Sequence, residues 1–418
     1  MRHTFAALAA LLVSAGILLA GGGLLGTLVA VRANIEGMPL PIIGLVMSSY
    51  YVGFIAGCRM TPAMVARAGH IRAFTALAAI SAAAALMYVL AVNVFVWVAL
   101  RVITGFCFAG LYMIVESWIN EKSSNENRGE VLSVYRIVDF AAMTIGQFLL
   151  VTASPAGFAL FSLVSIFVCL SIVPIAMTSA IAPEPLTRVK LDLPKLLKVS
   201  PMAVAGCLAA GFTNGAFWSI GPVFVQDLGY DISMVATFMS MAIIAGAIAQ
   251  WPIGRLSDFV DRRQVLTWTA GAAAGCGFLL SSIGDISAVH LLMGIGLYGA
   301  FGMSIFSLSA AHANDHAEPD EFVAISGGLL LVYGLGSIAG PILAPLFMHL
   351  AGPTALFSFT GVIHVLLLAF GAYRLVLTDA IPADEQEDYV PVPKTSPSIF
   401  EIDPRGVEAD ESAEEAPI

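Results

Sequence analysis

The sequence predicts an all-α membrane protein: twelve transmembrane helices in two six-helix, pseudo-symmetric bundles. Three observations predict it. Only 11% of the 418 residues are charged, 58% are hydrophobic, and mean hydropathy is +0.88. A soluble domain carries roughly a quarter charged residues. Charges in hydrocarbon are costly unless paired or hydrated, so the deficit places this chain in lipid. The apolar runs are about 20 residues or longer, the length of a spanning helix, whereas a barrel strand shows a ~10-residue alternation. A hydrophilic stretch at 182–200, with Pro183, Pro185, Pro194 and four basic residues, divides these runs six and six.

The spans fall at about 4–31, 41–66, 70–92, 94–120, 128–152, 154–180, 199–227, 231–257, 263–283, 286–314, 320–350 and 352–379. The longer ones are expected to tilt or protrude. The first begins with Arg2 and small residues, as a secretory signal does, but its apolar run reaches Val31 and is too long for a signal core. The domain boundaries follow: a first bundle at 1–180, a linker at 181–198, a second bundle at 199–379, and a tail at 380–418.

Lys and Arg fix the orientation. With the N-terminus inside, the inner face holds Arg2, Arg59, Arg67, Arg72, Lys122, Arg128, Arg188, Lys190, Lys195, Lys198, Arg255, Arg262, Arg263 and Arg374, and the outer loops hold only Arg32. The asymmetry predicts both termini in the cytoplasm. The net charge of -10 belongs to the tail, which carries 11 acidic and 2 basic residues, many prolines and few large apolar groups. It is expected to be disordered. Cys58, Cys107, Cys169, Cys207 and Cys276 are scattered, without metal or redox spacing.

The two halves echo each other. Asn120-Glu121 matches Asn314-Asp315, and Ile145-Gly146-Gln147 matches Ala339-Gly340-Pro341, both at an offset of 194. Such duplication is a common build for transporters.

Candidate chemistry lies in the ionisable groups inside the spans. Arg136 and Asp139 are three apart on one face of the fifth span, roughly 12 and 16 Å in at 1.5 Å per residue. An intramembrane pair is a functional candidate: a carboxylate that takes a proton once the pair opens, or an arginine that holds an anionic substrate. A structural ion pair is the other reading. Arg101 of the fourth span either serves the same cavity or snorkels to the outer interface. Glu116, about four turns further on, either lines the inner mouth with Tyr112 or pairs with Arg128. Tyr112, Tyr135, Asn214, Trp218 and Gln250, with Gln226 and Trp251, are candidate cavity residues for a moderately apolar ligand. His312, Asn314, Asp315 and His316 fit no metal spacing and read as a polar turn ending the tenth span. Gly336, Gly340 and Pro341 of span eleven are a candidate hinge.

The loop Gly254-Arg255-Leu256-Ser257-Asp258-Phe259-Val260-Asp261-Arg262-Arg263 resembles the signature loop of the major facilitator superfamily (MFS). The first-half copy, from Gly57 to Arg72, lacks the acidic residue. Arg101-Val102-Ile103-Thr104-Gly105 resembles the family's fourth-span motif, while the Gly-Pro antiporter motif is absent from span five, where Gln147 stands. Glu116-Ser117-Trp118-Ile119-Asn120 and Ala311-His312-Ala313-Asn314-Asp315 look most like the bacterial YcaD-like subgroup. The resemblance implies the MFS fold and alternating access, with a small-molecule substrate and a role for Arg101 in proton coupling. It also implies that Gly254, Asp258, Arg262 and Arg263 form a cytoplasmic gate, Asp258 latching against the start of span five near Arg128. The expectation is a non-enzymatic, proton-coupled secondary transporter without cofactor, metal or nucleic acid, monomeric in the bilayer. A non-transporting sensor or scaffold, or a flippase for a lipid-like substrate, is the alternative. No Walker-type loop is present, which argues against ATP drive.

Overall fold

The computed structural model describes residues 2–124, 127–177, 183, 192–282, 287–318, 321–377, 386 and 389–403, with side chains from residue 8 onward. Part of the linker, including Arg188 and Lys190, and the tail beyond Asp403 lie outside these residues. Within them, twelve helical stretches are long and apolar enough to cross a membrane. The first bundle comprises α1 (Arg2–Ile35), α2 (Leu40–Ala68), α3 (His70–Leu90), α4 (Val94–Lys122), α5 (Arg128–Leu149) and α6 (Ala159–Ala176). A short linker helix, α7 (Leu193–Val199), leads to the second bundle. There follow α8 (Pro201–Asp227), α9 (Ile232–Phe259), α10 (Arg262–Ser282), α11 (Ala288–Gly302), α12 (Ile305–Asn314), α13 (Phe322–Ala351) and α14 (Ala355–Leu377).

Local chemistry sets the ends. Asn93 caps α4 by accepting from the Phe95 amide at 2.9 Å, Ser200 caps α8 through the Ala203 amide at 3.1 Å, and Asp231 caps α9 through the Met234 amide at 2.9 Å. Gly69, at φ +82, is the single residue between α2 and α3 and reverses the chain where a side chain would be strained. The expected tenth span is two helices, α11 and α12. Gly302 and Ser304 flank the break, and the Ser304 hydroxyl donates back to the Ala300 carbonyl at 2.9 Å, a bond that bends helices.

Small residues bring backbones together. A Cβ on Gly105 would strike the Tyr50 carbonyl of α2, and one on Gly53 the Val102 carbonyl of α4. Without a hydrophobic drive between helices in lipid, this closeness is what binds α2 to α4. Gly336 and Gly340 do the same for α13 against α8, abutting the Leu208 and Phe212 carbonyls. These two glycines therefore serve tight packing within the second bundle, and α13 runs unbroken through Pro341 and Pro345. The Pro341 carbonyl faces Gly44 of α2, across the two bundles.

The bundles meet through α1 with α8, α2 with α13 and α5 with α9. At one face, away from the tail, Asn34 donates to Gln226 at 3.2 Å and to Asp227 at 3.3 Å, tying α1 to α8. Gln147, which stands where the antiporter motif has proline, accepts from Thr27 at 2.7 Å and joins α5 to α1. The opposite face, called here the tail face, carries α7, the Asp258–Arg263 loop and residues 389–403.

The tail differs from the expectation of disorder over that last stretch. Ser396 caps a 3-10 turn at Pro397–Glu401, and Val392, Ile399, Phe400 and Ile402 are buried. Burial of each such side chain is worth roughly 1.5–3 kcal/mol, enough to order a segment whose prolines already restrict it. The acidic charge that suggested disorder lies mostly outside 389–403.

Substituting Gly105→Val is expected to force α2 from α4 and destabilise the protein by about 1–3 kcal/mol or more. The melting temperature in detergent should fall by several degrees; an unchanged melt would mean that the α2–α4 approach is not a fixed contact.

Candidate functional site

A central cavity of about 240 Å³ lies between the bundles. Its walls come from α1, α2, α4 and α5 on one side and from α8, α9 and α13 on the other, with Met303 from the α11–α12 break. Its lining is mostly apolar and aromatic, with a few charged groups, the pattern of a small-molecule site.

The Arg136–Asp139 pair lies on this wall. The Arg136 guanidinium donates to Asp139 at 2.6 Å and, with its other amino group, to the Gln250 side-chain oxygen at 3.0 Å. It also sits 4.0 Å from the centroid of the Phe140 ring. One arginine thus joins a carboxylate on its own helix to an amide on α9, in the other bundle. Both charged side chains are about a tenth exposed. A buried pair is costly to desolvate and needs such extra partners.

Arg101 turns inward. Its guanidinium lies 4.7 Å from the Tyr50 centroid on the cavity wall, and only 4% of the residue is exposed, so it does not snorkel outward. Tyr112, Trp218 and Gln250 line the cavity. Asn214 and Tyr135 are buried but are not among its lining residues. Gln226 is at the far face, and Trp251 is exposed on the outer surface of α9. Reading the sequence missed Tyr50, Tyr51, Phe54, Phe140 and Tyr333. Tyr50-Tyr51, two adjacent phenols inside an apolar span, was the available signal.

Glu116 has no exposure, and its carboxylate accepts from three hydroxyls. Tyr135 donates at 2.8 Å, and Thr395 and Ser396 of the tail also donate. The expected Arg128 partner is engaged elsewhere, donating to the Glu401 carbonyl at 2.7 Å. Lys394 enters the cavity beside Thr395, its ammonium 5.4 Å from the Phe306 centroid and 5.2 Å from that of Tyr333. Burial pulls the Lys394 amine down to about 7, with the Arg136 charge acting the same way and Cys207 and Asp139 opposing. The aromatic faces are what attract the charged form there.

The Asp258–Arg263 loop, the expected gate, is held within the second bundle. Arg262, 1% exposed, donates to Asp258 at 3.1 Å, to Asp315 at 2.5 Å and to the Ala311 carbonyl at 3.2 Å, while Arg263 pairs with Asp261 at 2.7 Å. Asp315, read from sequence as part of a helix-ending turn, is therefore also the partner that ties α12 to the loop. Asp258 accepts from the Tyr389 amide at 2.9 Å, and a Cβ on Gly254 would strike the Tyr389 ring. The two groups expected to meet in the latch, Asp258 and the start of α5, each hold the tail in this conformation.

A family model described as Major Facilitator Superfamily matches residues 10–327. The chain belongs to the major facilitator superfamily. The MFS-type transporter YcaD of Escherichia fergusonii is 26% identical over 327 residues, which is 78% of this chain and 84% of that one. YcaD of Salmonella heidelberg is 27% identical over the same shares, and the resemblance to the YcaD-like subgroup is borne out. Among solved structures, the nucleoside transporter NupG superposes with a TM-score of 0.73 at 13% identity, covering 88% of this chain and 98% of its own. A bacterial homologue of the lysosomal transporter Spinster gives 0.71 at 14%, covering 90% and 98%. These likenesses show the fold. The MFS chain described here is a multi-pass membrane protein of a transporter family.

Replacing Asp139 by Ala should strand the Arg136 charge and cost about 3–5 kcal/mol. The double variant Arg136→Leu/Asp139→Leu should recover most of that loss. Denaturation of the single and double variants in detergent checks this; additive losses would mean that the two side chains do not act as a pair.

Proposed function

We propose that this protein is a proton-coupled secondary transporter that moves a small molecule across the bacterial inner membrane by alternating access. The observation that carries the reading is the Arg136 fork, which joins Asp139 in one bundle to Gln250 in the other at the wall of the central cavity.

The mechanism follows from that fork. Protonation of Asp139 removes its charge and leaves Arg136 with Gln250 and the Phe140 face. The arginine is then available to a cargo group or to a different partner on α9. Either change alters the bond between α5 and α9, and so the balance between conformations. Arg101, Tyr50, Tyr112 and Trp218 shape the rest of the cavity. The inside-positive bias supports the tail face as the cytoplasmic one and both termini as cytoplasmic. In the state closed on that face, Asp258 meets the N-terminus of α5, where unpaired amides and the helix dipole favour a carboxylate. The protein acts as a monomer in the bilayer, with cargo and protons as its partners.

Asp139→Asn is expected to abolish pH-driven concentrative uptake of a cargo found by thermal-shift screening, while leaving its binding or exchange within a few-fold of the parent. Measured in proteoliposomes, full pH-driven uptake in this variant would remove Asp139 from the coupling path. Asp258→Ala is expected to shift the population toward states open on the tail face; cysteine labelling from that side would rise, and an unchanged rate would contradict the latch. A protein that binds the cargo but gives no flux in either form would match the sensor alternative instead.

A further inference from the structure

The segment 389–403 is not used by the mechanism above, yet it fills the tail-face mouth of the cavity. It touches both bundles. Thr395 and Ser396 donate to Glu116 of α4, the Glu401 carbonyl accepts from Arg128 of α5, and the Tyr389 amide donates to Asp258 of α9. The Lys394 ammonium lies over the edge-to-face ring pair of Phe306 on α12 and Tyr333 on α13.

We propose that this mouth is a peptide-binding site whose occupant is the chain's own segment 389–403, anchored at Glu116, and that segment and cargo exclude each other. Four features support the assignment. Glu116 is wholly buried, and two of its three hydroxyl donors come from the segment. A buried carboxylate that loses such donors must regain them from water or take a proton. The mouth is cut to the segment's shape: Gly254 leaves the space that the Tyr389 ring occupies, and Val392, Ile399, Phe400 and Ile402 are buried. Pro391, Pro393 and Pro397 restrict the free segment, so it loses less chain entropy on docking. Eleven residues separate Leu377, the end of α14, from Tyr389, so the segment is tethered and meets the mouth at a high effective concentration.

The consequences are mechanical. Lys394 and Thr395 form part of the cavity wall, so cargo cannot pass that mouth while they are in place. The segment also occupies Asp258 and Arg128, the ends of the proposed latch, and so holds the two bundles in the conformation described. Release of the segment frees the mouth and the latch together. This effect on flux rests on the transporter reading; docking itself does not.

The test uses the full-length protein with Ser398→Cys, a position 2% exposed whose change adds little volume. Its reaction with N-ethylmaleimide is compared with that of a synthetic peptide of residues 389–403 carrying the same cysteine, after subtracting the signal of the parent protein. The expected result is a rate at least tenfold slower in the protein. Adding Thr395→Asp and Ser396→Asp, which face two carboxylates toward Glu116, should restore the peptide rate. These changes lie outside the helices and leave the bundles to fold. Peptide-like reactivity of Ser398→Cys alone would overturn docking, and protection that survives the double Asp change would overturn Glu116 as the anchor. Labelling needs no cargo. Loss of protection would leave the transporter reading standing, whereas protection with no flux in the proteoliposome assay would count against that reading alone.

Discussion

A guanidinium and a carboxylate taken out of water set the terms for this molecule. Isolated in a low-dielectric interior, either charge is prohibitive; together, with further partners, they persist. Arg136 has its further partners in Phe140 and in Gln250, and Gln250 belongs to the other bundle. The same guanidinium therefore holds the carboxylate of one bundle and an amide of the other. In the proposed mechanism, loss of the Asp139 charge frees that guanidinium to change partners, which would link proton state to conformation at a single side chain.

The packing around the fork suits that proposal. Glycines at the α2–α4 and α8–α13 contacts make each bundle a tightly packed body, as the proposed motion of whole bundles requires. Asn34, Gln226 and Asp227 tie α1 to α8 at the far face. At the tail face, Arg262 fastens the Asp258–Arg263 loop to α12 through Asp315 and also holds Asp258, which can accept from a further donor outside its bundle. In the conformation described, that further donor is the Tyr389 amide.

Much of the fold was legible because lipid imposes a simple code. Length, hydropathy and the placement of Lys and Arg are read directly, so twelve spans and a central linker could be counted. The split of span ten was not legible, since Gly302 and Ser304 are tolerated in straight helices too. At the site, Arg136 and Asp139 stood out because intramembrane charges are rare. Gln250 as the bridging partner did not, because pairing across bundles leaves no spacing in sequence. Tyr135 and Asn214 were placed near the cavity by their helix alone, and a helix has a back as well as a front. Residues 389–403 depart from the expected disorder for a different reason. Net charge averages over 380–418, while folding depends on a local apolar set, Val392, Ile399, Phe400 and Ile402, that the acidic flanks conceal.

The central claim is that Asp139 exchanges a proton while the fold stays intact. Infrared difference spectroscopy of the membrane-reconstituted protein across a pH titration tests it without any cargo. The account predicts a protonated-carboxyl band that grows on acidification, with a component missing from Asp139→Asn. A band identical in both proteins would contradict it, and would leave the Arg136–Asp139 pair as a fixed structural contact.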